Sequence, residues 1–184
     1  NCIDAAHVYG FGEGEKTLAR WLRERGTRGQ VVLFDKGCHP VVDPQNLFGN
    51  PWEPRVTPEA IHADLAESLE RLQTDSIDLY LLHRDDENMS VGPLVEALNA
   101  EQGRGRIRAF GASNWRSVRV AAANAYAAEH GLNRFVISSP QFSLARPTRM
   151  FFPGTVSASE ADLAWHARQQ FPMLAWSALS AGFV

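Results

Sequence analysis

Asp4, Tyr9, Lys36 and His83 are unevenly spaced along this sequence, yet each falls at the end of a short apolar run. A phenol ordinarily titrates near about 10, too high to trade protons efficiently near pH 7. A neighbouring lysine ammonium favours the phenolate and lowers that value. An aspartate paired with the lysine keeps it charged and oriented. A histidine beside the phenol can hold a carbonyl oxygen and assist a proton relay. The set suits proton donation to an oxygen while a hydride arrives at carbon. No side chain supplies a hydride, so this chemistry requires a cofactor.

These residues need a scaffold that brings them together. Apolar runs suited to buried strands occur at CIDAA (2–6), VVLF (31–34), IDLYLL (77–82), IRAFGAS (107–113), FVISS (135–139) and PMLAWS (172–177). Helical patterns separate them. Leu18, Trp21 and Leu22 line a helix ending near Gly26. Thr57 and Pro58 open a second, with Ile61, Leu65, Leu69 and Leu72 on its apolar stripe. A third carries Leu94, Val95 and Leu98 after a Ser90 cap. A fourth, rich in alanine, runs from Val118 to His130 and stops at Gly131. Ser157 with Glu160 reads as a capping box opening a fifth.

Strand and helix alternate, which predicts right-handed crossovers and a parallel sheet. In a parallel barrel the active-site residues stand at the C-terminal ends of the strands. Asp4 and Tyr9 follow the first run, Lys36 the second, His83 the third, and Ser113 with Asn114 the fourth. Four successive units thus place polar groups on one rim. The glycines of YGFGEGE (9–15) lack the spacing of a dinucleotide phosphate loop, which argues against an open doubly wound sheet. The long stretch 38–56, rich in Pro, Asn and Gly, reads as a loop of a length that is functional or disordered, and its Phe48 and Trp52 are expected to help wall a substrate pocket.

The 184 residues suffice for a single domain, 1–184, with a substantial core. The formal charge of -3 gives no basic field for nucleic acid or an anionic membrane surface. Two cysteines make no disulfide framework. No stretch reads as a signal peptide or as a span of about 20 apolar residues. A soluble, cytoplasmic protein with no nucleic-acid or membrane partner is expected.

The sequence resembles the aldo-keto reductase family. The resemblance rests on DAAHVYG (4–10), the Lys36 closing VVLFDKG, IDLYLLH (77–83), GRIRAFGASNW (105–115) and LAWSALSAGF (174–183). It implies a (β/α)₈ TIM barrel, incomplete here, with about strands two to seven present and Asn1 inside a strand. It implies a small-molecule carbonyl substrate and NADPH, or less often NADH, at the C-terminal rim. Tyr9 would be the general acid, supported by Lys36 and Asp4, with His83 orienting the carbonyl. Ser113 and Asn114 would bond the nicotinamide carboxamide, and Trp176 would stack on its ring. Ser177, Leu179 and the loop after them would approach the pyrophosphate. Family members include both monomers and assemblies.

The sequence departs from the family pattern at SSPQFSLA (138–145), where either Ser139 or Gln141 would grip the carboxamide. Ser113 and Asn114 also read as an N-cap for a helix starting near Trp115. Two other functions share the rim. One is a metal-dependent barrel hydrolase using His7, Cys38, His39, His62 or His83. No HxH pair or suitably spaced second carboxylate supports it, so no metal is expected, and His62 reads as solvated. The other is a non-catalytic barrel that binds the nicotinamide cofactor, which would have no need of the acid.

Overall fold

A computed structural model of the chain describes residues 1–42, 53–150 and 152–182. Five strands, β1 (Cys2–Asp4), β2 (Val32–Gly37), β3 (Ile77–Leu82), β4 (Ile107–Ser113) and β5 (Ser138–Ser139), form one sheet in sequence order. Every neighbouring pair is parallel. Helices α1 (Glu13–Arg25), α2 (Pro58–Leu72), α3 (Val91–Gly103) and α4 (Ser117–Glu129) make the crossovers, and α5 (Glu160–Gln169) follows β5. Unbroken order without a switch point is barrel winding. The five strands form a curled half-barrel, an incomplete (β/α)₈ fold.

Local chemistry sets most element ends. Thr57 caps α2 by accepting the Ala60 N–H at 3.2 Å, and Pro58 holds the first helical position. α1 begins with Glu13 and Glu15, ends with Arg23 and Arg25, and stops at Gly26 in the left-handed region, φ 61°. The capping box of α5 is Ser159 with Asp162, two residues beyond the pair expected from sequence. Ser157 is drawn away because its hydroxyl donates to Gln141 Oε1 at 2.6 Å. Asp162 also accepts the backbone N–H and hydroxyl of Ser117, so one carboxylate ties the starts of α4 and α5. Arg116, not Ser113 or Asn114, holds the N-cap position of α4.

The core lies between the outer sheet face and the helices. Ile61 and Leu65 of α2, Leu94 and Leu98 of α3, and Val120 and Ala123 of α4 bury against Tyr80, Leu82, Phe110 and Ala112. Each fully buried aliphatic side chain contributes about 1.5–3 kcal/mol. The run 172–177 forms bridges instead of a strand: Ser138 with Met173, and Gln141 with Trp176. Pro140, between the two bridges, lacks the N–H that would join them, which keeps the pairing discontinuous.

Strand register then positions the rim. Lys36 pairs with Leu81, and Leu82 pairs with Ala112. With a side-chain period of two, Lys36, His83 and Ser113 fall on one face. Asp4 joins them, since it pairs with Phe34, two residues before Lys36 on the same face.

Candidate active site

The rim encloses a cavity of about 300 Å³ lined by Asp4, Tyr9, Lys36, His83, Ser113, Asn114 and Trp176 among others. Asp4 Oδ1 accepts a hydrogen bond from the buried Lys36 ammonium. Lys36 donates a second to the Ala5 carbonyl at 2.9 Å. Its nitrogen lies 4.7 Å from the centroid of the Tyr9 ring and 4.6 Å from that of Phe34. The Tyr9 and His83 rings meet edge to face, with centroids 5.7 Å apart. Tyr9 is 43% exposed, so this phenol is open to solutes.

His83 is buried, and burial lowers its pKa well below the usual imidazole range. The charges of Arg84, Lys36 and His39 push the same way. Near pH 7 it is therefore a neutral ring, able to orient an oxygen as a dipole. His39 stacks edge to face on it at 4.8 Å and is pushed down to about 4, by burial first and Arg84 second. Both rings are uncharged at neutral pH.

Asn114 adopts a left-handed conformation, φ 60°, as the chain leaves β4. Its amide donates to the His83 carbonyl at 3.0 Å and to Ser113 Oγ at 3.1 Å. Its Oδ1 accepts the Val156 N–H at 3.2 Å, leaving capacity for one more donor. Among the described residues, His83 Nδ1 and Trp176 Nε1 are buried polar atoms on cavity residues without a hydrogen-bond partner. Buried polar atoms of that kind are what a bound polar group satisfies. An aromatic ring, a spare carboxamide acceptor and these donors fit a nicotinamide.

Other expectations from sequence lie off the cavity. Gln141 is fully buried. Its amide donates to Ser143 Oγ at 2.9 Å and accepts from Ser157, so both ends are engaged. The Ser139 carbonyl accepts from Ser113 Oγ at 3.0 Å and from the Asn114 N–H at 3.1 Å. Neither Ser139 nor Gln141 lines the cavity. Their hydrogen bonds hold Ser113, Asn114 and the 141–143 turn. Ser177 and the exposed Leu179 also fall outside its lining. Phe48 and Trp52 lie outside the described residues.

Sequence reasoning missed Val8, Val42, Arg84, Phe152 and Thr155 as cavity residues, and weighed His39 only as a metal ligand. For His39 and Arg84 a signal existed, since each lies within three residues of a strand-end residue with a chemical role. Phe152 and Thr155 had none. Among the described residues no group of three or more His, Cys, Asp or Glu could hold a metal ion. His62 is not free in solvent: its Nδ1 bonds the buried Glu101, which also pairs with Arg104 and Arg106.

Fold and rim together define a parallel βα half-barrel with a polar-lined cavity at the C-terminal ends of its strands. Residues 1–184 match the Aldo/keto reductase family, and the chain belongs to that family of oxidoreductases. It is 30% identical over 151 residues to norsolorinic acid reductase B of Dothistroma septosporum, covering 79% of this chain and 37% of that protein. It is 36% identical over 113 residues to aldo-keto reductase YhdN of Bacillus subtilis, covering 61% and 32%. A solved aldo-keto reductase from Klebsiella pneumoniae in complex with NADPH superposes with a TM-score of 0.73 at 27% identity, covering 99% and 54%. The chain thus spans between a third and about half of the length of these relatives. No helix among the described residues is long and apolar enough to cross a membrane.

Proposed function

We propose that this chain carries the catalytic rim of a nicotinamide-dependent carbonyl reductase that converts aldehydes or ketones to alcohols. The observation that carries the reading is the convergence of Asp4, Tyr9, Lys36 and His83 on one cavity, with the Lys36 ammonium over the Tyr9 ring. A metal hydrolase finds no ligand set among the described residues. A pure binding module has no use for the acid.

The bound coenzyme, NADPH in this proposal, supplies the hydride. Tyr9 donates its phenolic proton to the carbonyl oxygen as negative charge develops there. Lys36, fixed by Asp4 and the Ala5 carbonyl, keeps a positive charge beside the phenol and favours the phenolate left behind. The neutral His83 ring offers a hydrogen bond that orients the carbonyl. Asn114 and Ser113 would hold the carboxamide, with Trp176 against the nicotinamide ring. Ser177 and Leu179 would border the pyrophosphate. Ser139 and Gln141 act at one remove, by holding Ser113 and the turn around them.

The test is steady-state oxidation of NADPH, and separately of NADH, with a panel of aromatic and aliphatic aldehydes. Turnover that disappears in Tyr9→Phe supports the reading. Undiminished turnover in that variant ends it. Preference for NADH would correct the coenzyme alone.

A further inference from the structure

Tyr9 stands on the turn Ala5–Tyr9 that follows Asp4 at the end of β1, Lys36 stands just before the turn Gly37–Pro40 at the end of β2, and α2 reaches both turns. Asp64 of α2 is 1% exposed and accepts the backbone N–H of Cys38 at 2.7 Å. The same carboxylate takes both arms of the Arg55 guanidinium, at 2.7 and 2.5 Å. Arg55 belongs to the chain entering α2 from the 38–56 loop, and reaches the His39 carbonyl at 3.4 Å. Asp64 Oδ2 also lies 3.9 Å from Nδ1 of His7.

One turn further along α2, Glu67 accepts or shares a proton with His7 Nε2 at 3.0 Å. Another turn on, Arg71 donates to the His7 carbonyl at 3.2 Å and to the buried Glu15 at 3.1 Å. Positions 64, 67 and 71 follow the i, i+3, i+7 spacing of a single helix face. His7 closes the link between the turns, since its N–H donates to the Lys36 carbonyl at 2.9 Å. The Arg71 guanidinium also packs 2.9 Å from where a Cβ on Gly12 would stand, just after the Tyr9 turn.

Cys38 needs such a hold. It adopts φ 62°, a left-handed conformation that costs a residue with a Cβ about 1–2 kcal/mol. Burial acts to raise the pKa of Asp64, but the Arg55 fork, the Cys38 N–H and His7 outweigh it and keep the carboxyl below its usual range. It is an anion at neutral pH, as a fork acceptor must be.

We infer that the polar stripe of α2, centred on Asp64, is the positioning device of the rim: it sets the Tyr9 turn against the Lys36 turn and anchors the end of the 38–56 loop to both. Asp64, Glu67 and Arg71 are positioning residues and touch neither substrate nor coenzyme. The inference rests on the reductase reading for its kinetic consequence, and on geometry alone for its structural one.

The experiment compares Asp64→Ala and Arg55→Met with the parent chain, using NADPH and 4-nitrobenzaldehyde, together with amide hydrogen exchange. Asp64→Ala is expected to lower kcat about 10- to 100-fold, the cost of misplacing a reacting group by about 1 Å. Coenzyme Kd should stay unchanged. Arg55→Met keeps the Asp64–Cys38 bond, so it should raise the aldehyde KM through the loop and spare kcat. Arg55→Lys, which keeps the charge and loses the fork, should fall between. In Asp64→Ala the amides of 5–9 and 37–40 should exchange faster while the middle of α2 stays protected. A lower melting temperature with kcat, KM and exchange of both turns unchanged overturns the inference. If Asp64→Ala does not fold, Arg55→Met decides by the same KM-against-kcat split. A parent chain that reduces no aldehyde with either coenzyme defeats the reductase reading, and exchange in the two turns then decides the positioning claim by itself.

Discussion

The Lys36 ammonium lies over the face of the Tyr9 ring, 4.7 Å from its centroid, while its hydrogen bonds go to Asp4 and the Ala5 carbonyl. The ammonium is buried whereas Tyr9 is 43% exposed, so the cation acts on the phenol through space from the protein side of the ring. The aromatic ring and the hydroxyl are separable in this arrangement. The ring faces the cation, and in the proposed mechanism the hydroxyl does the proton transfer.

Tyr9→Phe keeps the ring under the ammonium and removes only the acid. Carbonyl reduction should fall about 10²- to 10⁴-fold in kcat. Thermal stability and coenzyme Kd should hold. Lys36→Met removes the charge, leaves Asp4 without its partner, and should lower kcat. Steady-state kinetics across pH measures both.

Trp176 gives a binding test. Its Nε1 is buried without a hydrogen-bond partner, so its value to a ligand without a matching acceptor lies in the ring face. Trp176→Ala should weaken coenzyme binding about tenfold, or about 1.4 kcal/mol. Trp176→Phe should keep most of the affinity. Fluorescence titration with NADPH distinguishes the two, and equal loss in both variants would show that the indole N–H matters.

Stability should fall at both ends of the pH range, for opposite reasons. His39 is pushed down to about 4 by burial and Arg84, whereas an unfolded imidazole titrates near about 6.5. Below about 6.5 the unfolded chain binds the extra proton, so this stability is lost as pH falls towards about 4. His83, lowered by burial, adds in the same direction. Asp35 does the reverse. Burial, then the nearby Glu15, raises its pKa to about 7, outweighing hydrogen bonds from Ser68 and the Lys36 backbone. Its contribution is full below the unfolded value of about 3.9 and is lost as pH rises through the raised one. Asp35→Asn should raise the melting temperature at pH 7, by about 2–4 °C for each kcal/mol, and the gain should vanish near pH 4. His39→Phe should flatten the acid side. Thermal melts from pH 4 to 8 test both.

Gly37 closes β2 because nothing larger fits. A Cβ there would stand 1.8 Å from the Tyr80 hydroxyl and 2.9 Å from its ring carbon. Tyr80 is fully buried, so close packing keeps it from swinging away cheaply. Gly37→Ala should cost about 1–3 kcal/mol. Tyr80→Phe should be neutral or stabilising alone and should recover part of the loss in the double variant. A double-mutant cycle in urea measures the coupling.

Local signals in the sequence settled what local chemistry controls. Ile77–Leu82 and Ile107–Ser113 are strands at the bounds their apolar runs suggest, and α2 starts where Thr57 and Pro58 indicate. Side-chain period and cap geometry act over a few residues, so one stretch contains the whole cause. The strand-end placement of Asp4, Lys36, His83 and Ser113 was legible for the same reason. Tertiary structure decided the rest. Ser157 left its expected capping role because Gln141, 16 residues upstream, took its hydroxyl. The run 172–177 met β5 and the residues after it at isolated bridges, because Pro140 lacks the donor that would join them. Arg84, Phe152 and Thr155 joined the cavity, and Gln141 did not, because membership depends on register and on which turns fold over the rim. Those are contacts between residues far apart in sequence, and no short window of a chain contains both halves of such a contact.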